Sequence, residues 1–216
     1  MRVARSLVLV ALLPLFAACQ LFDTDRQSAS HTGQTRMQGQ LTAVDGQLMF
    51  QPCNQPARYT VNDSGGTSVQ QEAATLADAK GNLFADVRGR LVEGRLDLEK
   101  LYRVERSGTA CNDPDFKLLI LRAAGHKPEW SVKVSGKGMI IERAGQKPLA
   151  LPYVEEQLGD GRFNLSSEAN NQRIELWVAP QRCVDSNGSI QHMTAELRID
   201  GQVQRGCGHF GGARDD

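Results

Sequence analysis

The chain has no dominant charge: 25 Lys and Arg residues face 25 Asp and Glu. It has no basic stripe and no interleaving of aromatic and basic residues, so a nucleic-acid partner is not expected. It has no apolar run long enough to cross a bilayer as a helix; the run over 7–18 is too short and is broken by Pro14. The short signatures of catalysis are missing as well: there is no Gly-x-Ser-x-Gly elbow, no His-Glu-x-x-His and no phosphate loop. The histidines are scattered, and a titratable side chain without an evident partner is not a site. No Cys-x-x-Cys pair exists, and Cys207-Gly208-His209 alone is a weak ligand grouping, so no metal and no cofactor are expected.

What is present begins at the N-terminus. Arg2 and Arg5 precede the apolar run, which has the length of a secretory h-region and ends in Leu15-Phe16-Ala17-Ala18-Cys19. This segment resembles the bacterial lipobox, with Phe16 a less usual residue three places before the cysteine. The resemblance implies a signal peptide over 1–18, cleavage before Cys19, and a diacylglycerol on the Cys19 thiol. Two other readings stay open: a plain cleaved signal with Cys19 incidental, and an uncleaved anchor. Several acyl chains at about 0.8 kcal/mol per buried methylene hold a protein stably to a membrane, where one would not. Gln20 stands where Asp often retains such lipoproteins at the inner membrane, so the implied address is the outer membrane, periplasmic face. Residues 19–35 are polar and small and read as a lipidated, flexible tether.

Four cysteines remain: Cys53, Cys111, Cys183 and Cys207. An even number in an exported chain reads as disulfides, since the periplasm is oxidising. Of three connectivities, Cys53–Cys111 with Cys183–Cys207 is favoured, because each bridge then closes within one half. Each would contribute roughly 3–4 kcal/mol by loop entropy.

Alternation of apolar and polar residues dominates the rest. In the first half, 37–44 and 47–51 flank Asp45-Gly46, a hairpin signal because both central positions of a type I′ turn need positive φ. Strands follow at 58–61, at 83–91 and 95–104 around Glu93-Gly94, and at 116–121. The one helix is expected over 69–80, where Val69, Ala73, Leu76 and Ala77 repeat at helical spacing before Gly81. In the second half Trp130, Val132 and Val134 share one strand face. Ile174, Leu176 and Val178 share another, as do Met193, Ala195, Leu197 and Ile199, before a hairpin at Asp200-Gly201. The expected fold is mainly β: two small barrel-like or sandwich-like domains, 36–122 and 123–212, with one short helix in the first and a boundary near Arg122–Gly125.

Strands with one helix among them suit a small Greek-key barrel of the oligonucleotide/oligosaccharide-binding type. The run Phe50-Gln51-Pro52-Cys53, continuing to Tyr59-Thr60-Val61, resembles the barrel-like domain of NlpE-type envelope lipoproteins, with Gly89-Arg90-Leu91 and Leu101-Tyr102 fitting loosely. The copper-linked Cys-x-x-Cys of that family is absent, so no metal sensing is carried over. The second half is similar to a family of uncharacterised envelope domains that opens on Gly-x-Glu-Pro-x-Trp-x-Val and closes on Cys-x-Asp and Gly-Cys. The matching residues are Gly125, Trp130, Val132, Cys183-Val184-Asp185 and Gly206-Cys207; Lys127-Pro128-Glu129 departs from the usual order. That resemblance implies the fold and strengthens the Cys183–Cys207 pairing.

Three residues stand out as a possible binding surface. Trp177 lies opposite the apolar face of its strand, where a large amphipathic ring supplies interface energy. Asp185 opens a loop and His192 ends it; the plain reading of Asp185 is a turn residue satisfying backbone groups. Trp130 reads as core. Residues 188–192 are the first place expected to offer a contact surface, and Ser166-Ser167-Glu168 and Ser186-Asn187-Gly188-Ser189 read as polar loops. The leading expectation is a non-enzymatic binding or structural module of the envelope, stress-related in the manner of the resembled family, meeting an envelope protein or a glycan. One alternative is a cell-wall polymer hydrolase using Glu155, Glu156, Asp160 or Asp185. Another is an inhibitor of lysozymes or proteases.

Overall fold

The computed structural model describes residues 33–77, 82–106, 110–169 and 171–214. The signal segment, Cys19 and most of the tether lie outside the described residues. Gly33–Asp216 forms one compact unit built on two sheets. Among the described residues no helix is long and apolar enough to cross a membrane.

The first sheet closes into a five-stranded barrel. Strands β1 (Thr35–Val44) and β2 (Gln47–Pro52) form a hairpin through Asp45 and Gly46, both at positive φ as a type I′ turn requires. β2 pairs with β3 (Tyr59–Asn62), which runs parallel to β5 (Arg95–Arg106). β4 (Leu83–Val92) pairs with both β5 and β1 and completes the ring. Helix α1 (Val69–Leu76) lies between β3 and β4 in sequence and buries Val69, Ala73 and Leu76 on the barrel core beside Leu41, Phe50 and Leu96. Asp63 shapes its entry: one carboxylate oxygen accepts from Thr67 N at 2.7 Å, the other from Ser68 N at 2.9 Å.

The second sheet has nine strands and curls into a half-barrel. In chain order it uses β6 (Leu119–His126), β7 (Glu129–Ser135), β8 (Gly138–Arg143), β9 (Leu149–Leu151), β10 (Val154–Gly159), β11 (Arg162–Ala169), β12 (Gln172–Ala179), β15 (Met193–Ile199) and β16 (Gln202–Phe210). Its edges, β9 and β10, are separated in sequence by only Pro152 and Tyr153. The concave face carries the alternating apolar residues expected from the sequence, including Trp130, Val132, Ile174, Leu176, Ala195 and Leu197. Gly125 faces Trp130 across β6 and β7, and a Cβ there would stand 2.3 Å from the indole nitrogen. Only glycine lets the ring lie over the strand.

Some elements differ from the sequence reading. The segment expected to close the first half, 116–121, divides: Asp113 and Asp115 hold Phe116–Leu118 in a 3₁₀ turn, and the strand then starts at Leu119 in the second sheet. Residues 122–125, expected near a boundary, lie inside β6. Ser166, Ser167 and Glu168 are strand rather than loop, with Ser167 opposite Ile174 on the core side. The two short strands β13 (Cys183–Val184) and β14 (Ile190–Gln191) leave the half-barrel and extend the barrel sheet, Ile190 opposite Val104 of β5. Within 188–192 Ile190 is fully buried and the other four residues are half-buried, with Gly188 against Arg106.

A buried polar seam joins the outer face of the barrel to the convex face of β6 and β16. Arg36 of β1 donates from Nε to Asp86 at 2.9 Å and from Nη2 at 2.7 Å. The same guanidinium donates to the carbonyls of Phe210 and Gly211, each at 2.6 Å, and lies 4.0 Å from the centre of the Tyr102 ring. Asp86 is wholly buried and the Arg36 side chain nearly so. Alongside, Arg122 meets Asp113 at 3.2 Å, and His209 Nδ1 faces Gln191 Oε1 at 3.0 Å. Burial holds the His209 ring well below its ordinary value of 6.5, and the guanidinium groups of Arg103, Arg122 and Arg36 add to the effect.

Two outcomes are expected from this seam. Asp86→Ala leaves a buried guanidinium without its carboxylate and should cost about 3–5 kcal/mol, read by denaturant unfolding; a loss below about 1 kcal/mol would show the pair to be incidental. His209 protonates near 6.5 in the unfolded chain but stays neutral well below that when folded. The unfolded state then binds more protons below pH 6.5, so stability falls as pH drops from there. His209→Gln should flatten the fall between pH about 7.5 and about 5.5 relative to the parent, a comparison that cancels the opposite contribution of Glu105, whose carboxyl burial raises. Equal slopes in parent and variant would contradict it.

Candidate functional site

On the convex face of the half-barrel the strand registers lay side chains out in rows. Ala179, Thr194, Cys207 and Ala124 stand opposite one another across β12, β15, β16 and β6. These are small residues, so the row is a trough. Two residues further along, Trp177, Glu196 and Arg205 form the next row and rise beside it. The chain leaving β12 crosses above the trough through Gln181 and residues 183–186, and the Cys183–Cys207 disulfide ties this roof to the floor, with 5.5 Å between Cα atoms. The resulting cavity, open to solvent along one side, is about 750 Å³ and is also bordered by Lys127, Leu158 and Arg162. That volume suits a small organic ligand.

The charges around the cavity are arranged in pairs. Arg198 Nη2 donates to Glu196 at 2.7 Å and Arg205 Nε donates to the other oxygen of the same carboxylate at 3.1 Å. Those bonds, Arg198 first, hold the Glu196 carboxyl below its usual range, so it remains an acceptor. The Arg198 guanidinium stacks 4.7 Å from the centre of the Trp177 ring, while its Nε is buried without an acceptor. Asp185 accepts the backbone N–H groups of Asn187 at 2.8 Å and Ser189 at 2.9 Å through Oδ1, the turn role its position suggests.

The roof is anchored from the barrel side. Arg182 donates twice to Glu72 of α1, at 2.7 and 2.8 Å, and Arg106 Nη1 donates to the Asn187 carbonyl at 2.9 Å. Arg182 holds the Glu72 carboxyl below its ordinary range.

Two of the three surface residues picked out in the sequence meet here: Trp177, half-buried, and Asp185 both line the cavity. His192 does not. Its backbone N–H donates to Tyr102 O at 3.2 Å, its Nε2 is buried without a partner, and burial lowers its pKa. Cys19 lies outside the described residues. The motif residues Gly125, Cys183, Val184, Asp185, Gly206 and Cys207 all border this one cavity. Glu155 and Glu156 sit on opposite faces of β10; Arg214 donates to Glu155 at 3.1 Å, and Asp160 occupies a turn at positive φ. Apart from Asp185, the sequence reading did not single out the charged residues of the cavity, Glu196, Arg198 and Arg205 among them. Their signal was the polar side of the same alternation: Thr194, Glu196 and Arg198 intercalate between Met193, Ala195, Leu197 and Ile199.

The second disulfide, Cys53–Cys111, joins the end of β2 to a 3₁₀ turn (Ala110–Asn112), with 5.6 Å between Cα atoms. Among the described residues no group of three His, Cys, Asp or Glu side chains could hold a metal ion. No protein-family model, curated protein or solved structure matches the chain.

Replacing Cys183 and Cys207 together by Ala opens a loop of sequence separation 24. Loop entropy puts the cost at about 3 kcal/mol. Amide exchange should rise across residues 181–191 more than in β15 or β16. Uniform protection in parent and variant would show that the roof does not depend on the bridge.

Proposed function

We propose that this chain is a lipoprotein anchored through Cys19 to the bacterial outer membrane, with its folded part a binding module on the periplasmic side. The observation that carries the reading is the pairing of the lipobox-like run Leu15-Phe16-Ala17-Ala18-Cys19 with two disulfides, bonds that form and persist outside the reducing cytosol. The closed barrel, with α1 between its third and fourth strands, supports the likeness to the NlpE-type envelope domain. Binding without turnover is supported by the state of the acids at the cavity. Glu196 is held ionised between two arginines and Asp185 is engaged in its own turn, so neither is set up to deliver a proton. The partner is a component of the envelope, a protein or a glycan.

Peptide mass spectrometry of the protein purified from its own membranes should find acylated Cys19 as the N-terminal residue. Cys19→Ala should move the chain into the soluble fraction. Unmodified Cys19, or an unchanged distribution of the variant, would overturn the anchor.

A further inference from the structure

We propose that the cavity beneath the Cys183–Cys207 bridge binds a small anionic amphiphile: a molecule with an apolar body and a single carboxylate, sulfonate or phosphate head. The inference rests on the reading of the folded part as a binding module, adds a small ligand to its envelope partner, and does not need the lipid anchor.

The shape gives the apolar body. The floor is a row of side chains no larger than threonine, Ala179, Thr194 and Ala124 with the disulfide sulfur of Cys207, set beside the much larger Trp177. A trough formed this way cannot refill itself, because its outline follows from cross-strand register rather than from a movable side chain. The roof that covers it is held by the disulfide at Cys183 and the adjacent Arg182 on Glu72, and beyond Ser186 by Arg106 on the Asn187 carbonyl. A preformed, mostly apolar hollow of about 750 Å³ holds a small ligand without a large ordering cost.

The charge gives the head group. Four cations border the cavity, Lys127, Arg162, Arg198 and Arg205, against two carboxylates, Glu196 and Asp185. Two of the arginines share Glu196. Asp185 is turned to its own backbone. Arg162 meets the exposed Asp160 at 3.3 Å and the Gly159 carbonyl at 3.4 Å, and its side chain stays largely exposed. The rim is therefore net positive, and a concave low-dielectric wall concentrates that field on whatever enters. Lys127 and Arg162 present exposed cationic ends at this rim, whereas Arg198 is taken up by Glu196 and the Trp177 ring. A ligand oxygen can take charge-assisted bonds from the Lys127 and Arg162 side chains. A cationic or neutral body of the same size would gain the apolar contacts without those bonds.

The test uses the full chain carrying Cys19→Ala, so that no acyl chain takes up the probe. The probe is 8-anilinonaphthalene-1-sulfonate. Its fluorescence should rise to a one-to-one plateau, and the emission of Trp177 should fall in step. Decanoate or naphthalene-2-sulfonate should displace it, and the stronger of the two identifies an acyl or an aromatic body. Decyltrimethylammonium should be at least tenfold weaker. Ala179→Phe fills the trough from its outer face and should weaken binding tenfold or more. Lys127→Glu with Arg162→Glu, both exposed and outside either core, should weaken it severalfold and reduce the salt dependence. Absence of a saturable plateau, equal displacement by the cation, or unchanged affinity in both variants would overturn the proposal. Lipidation is read by mass alone, so failure here leaves the anchor standing, and an unmodified Cys19 leaves the cavity standing.

Discussion

The guanidinium of Arg36 is the joint on which the two sheets depend. It belongs to the first strand of the barrel, yet two of its acceptors are carbonyls at the far end of the chain, Phe210 and Gly211. A planar group with five donors can hold a carboxylate on one side and backbone oxygens on another; a lysine could not. The consequences run outward from the C-terminal end of β16. Phe210 stacks on Phe163 at 5.9 Å, and Arg214 covers both rings while reaching Glu155 on the edge strand β10. One buried ion pair thereby connects the barrel wall to the open edge of the half-barrel. A hydrophobic joint of similar volume could be as stable. What the polar joint adds is direction: it accepts only one placement of the C-terminal strand.

The chain crosses between the sheets a second time, and that crossing makes the cavity. Residues 183–191 leave the half-barrel to pair with β5 and return at Met193. The excursion is stapled to β16 by a disulfide and to α1 by Arg182 on Glu72. The trough exists because strand register brings small residues into line, and it is partly roofed because the excursion passes over it. Fold and site are thus consequences of the same few contacts. Loosening the seam would move the roof relative to the floor, which couples the stability of the barrel to the shape of the site.

Much of this was legible in the sequence where local rules decide the outcome. Asp45-Gly46, Glu93-Gly94 and Asp200-Gly201 all turn at positive φ, because such turns need residues that tolerate it. Strands with one apolar face declared themselves by alternation, and Trp130 and Trp177 fell on opposite sides as their neighbours implied. The cysteine pairs formed within the expected halves. The strands around Asp160 were not legible. β10 is an edge with Val154 69% exposed and no buried face, so it has no alternation to read. Ile190 was hidden in a run of turn residues, since its burial depends on a strand 86 positions earlier in the chain, that of Val104. The seam and the trough were illegible for the same reason. Arg36 and Phe210 are 174 residues apart, and no local pattern announces their meeting.

The most direct test of the account is whether the two sheets unfold together. Calorimetry of the full oxidised chain should show one transition whose calorimetric and van't Hoff enthalpies agree, because the seam and the stapled excursion make the barrel and half-barrel one cooperative unit. Two separated transitions, one leaving the half-barrel signal of Trp130 intact while the barrel melts, would contradict it.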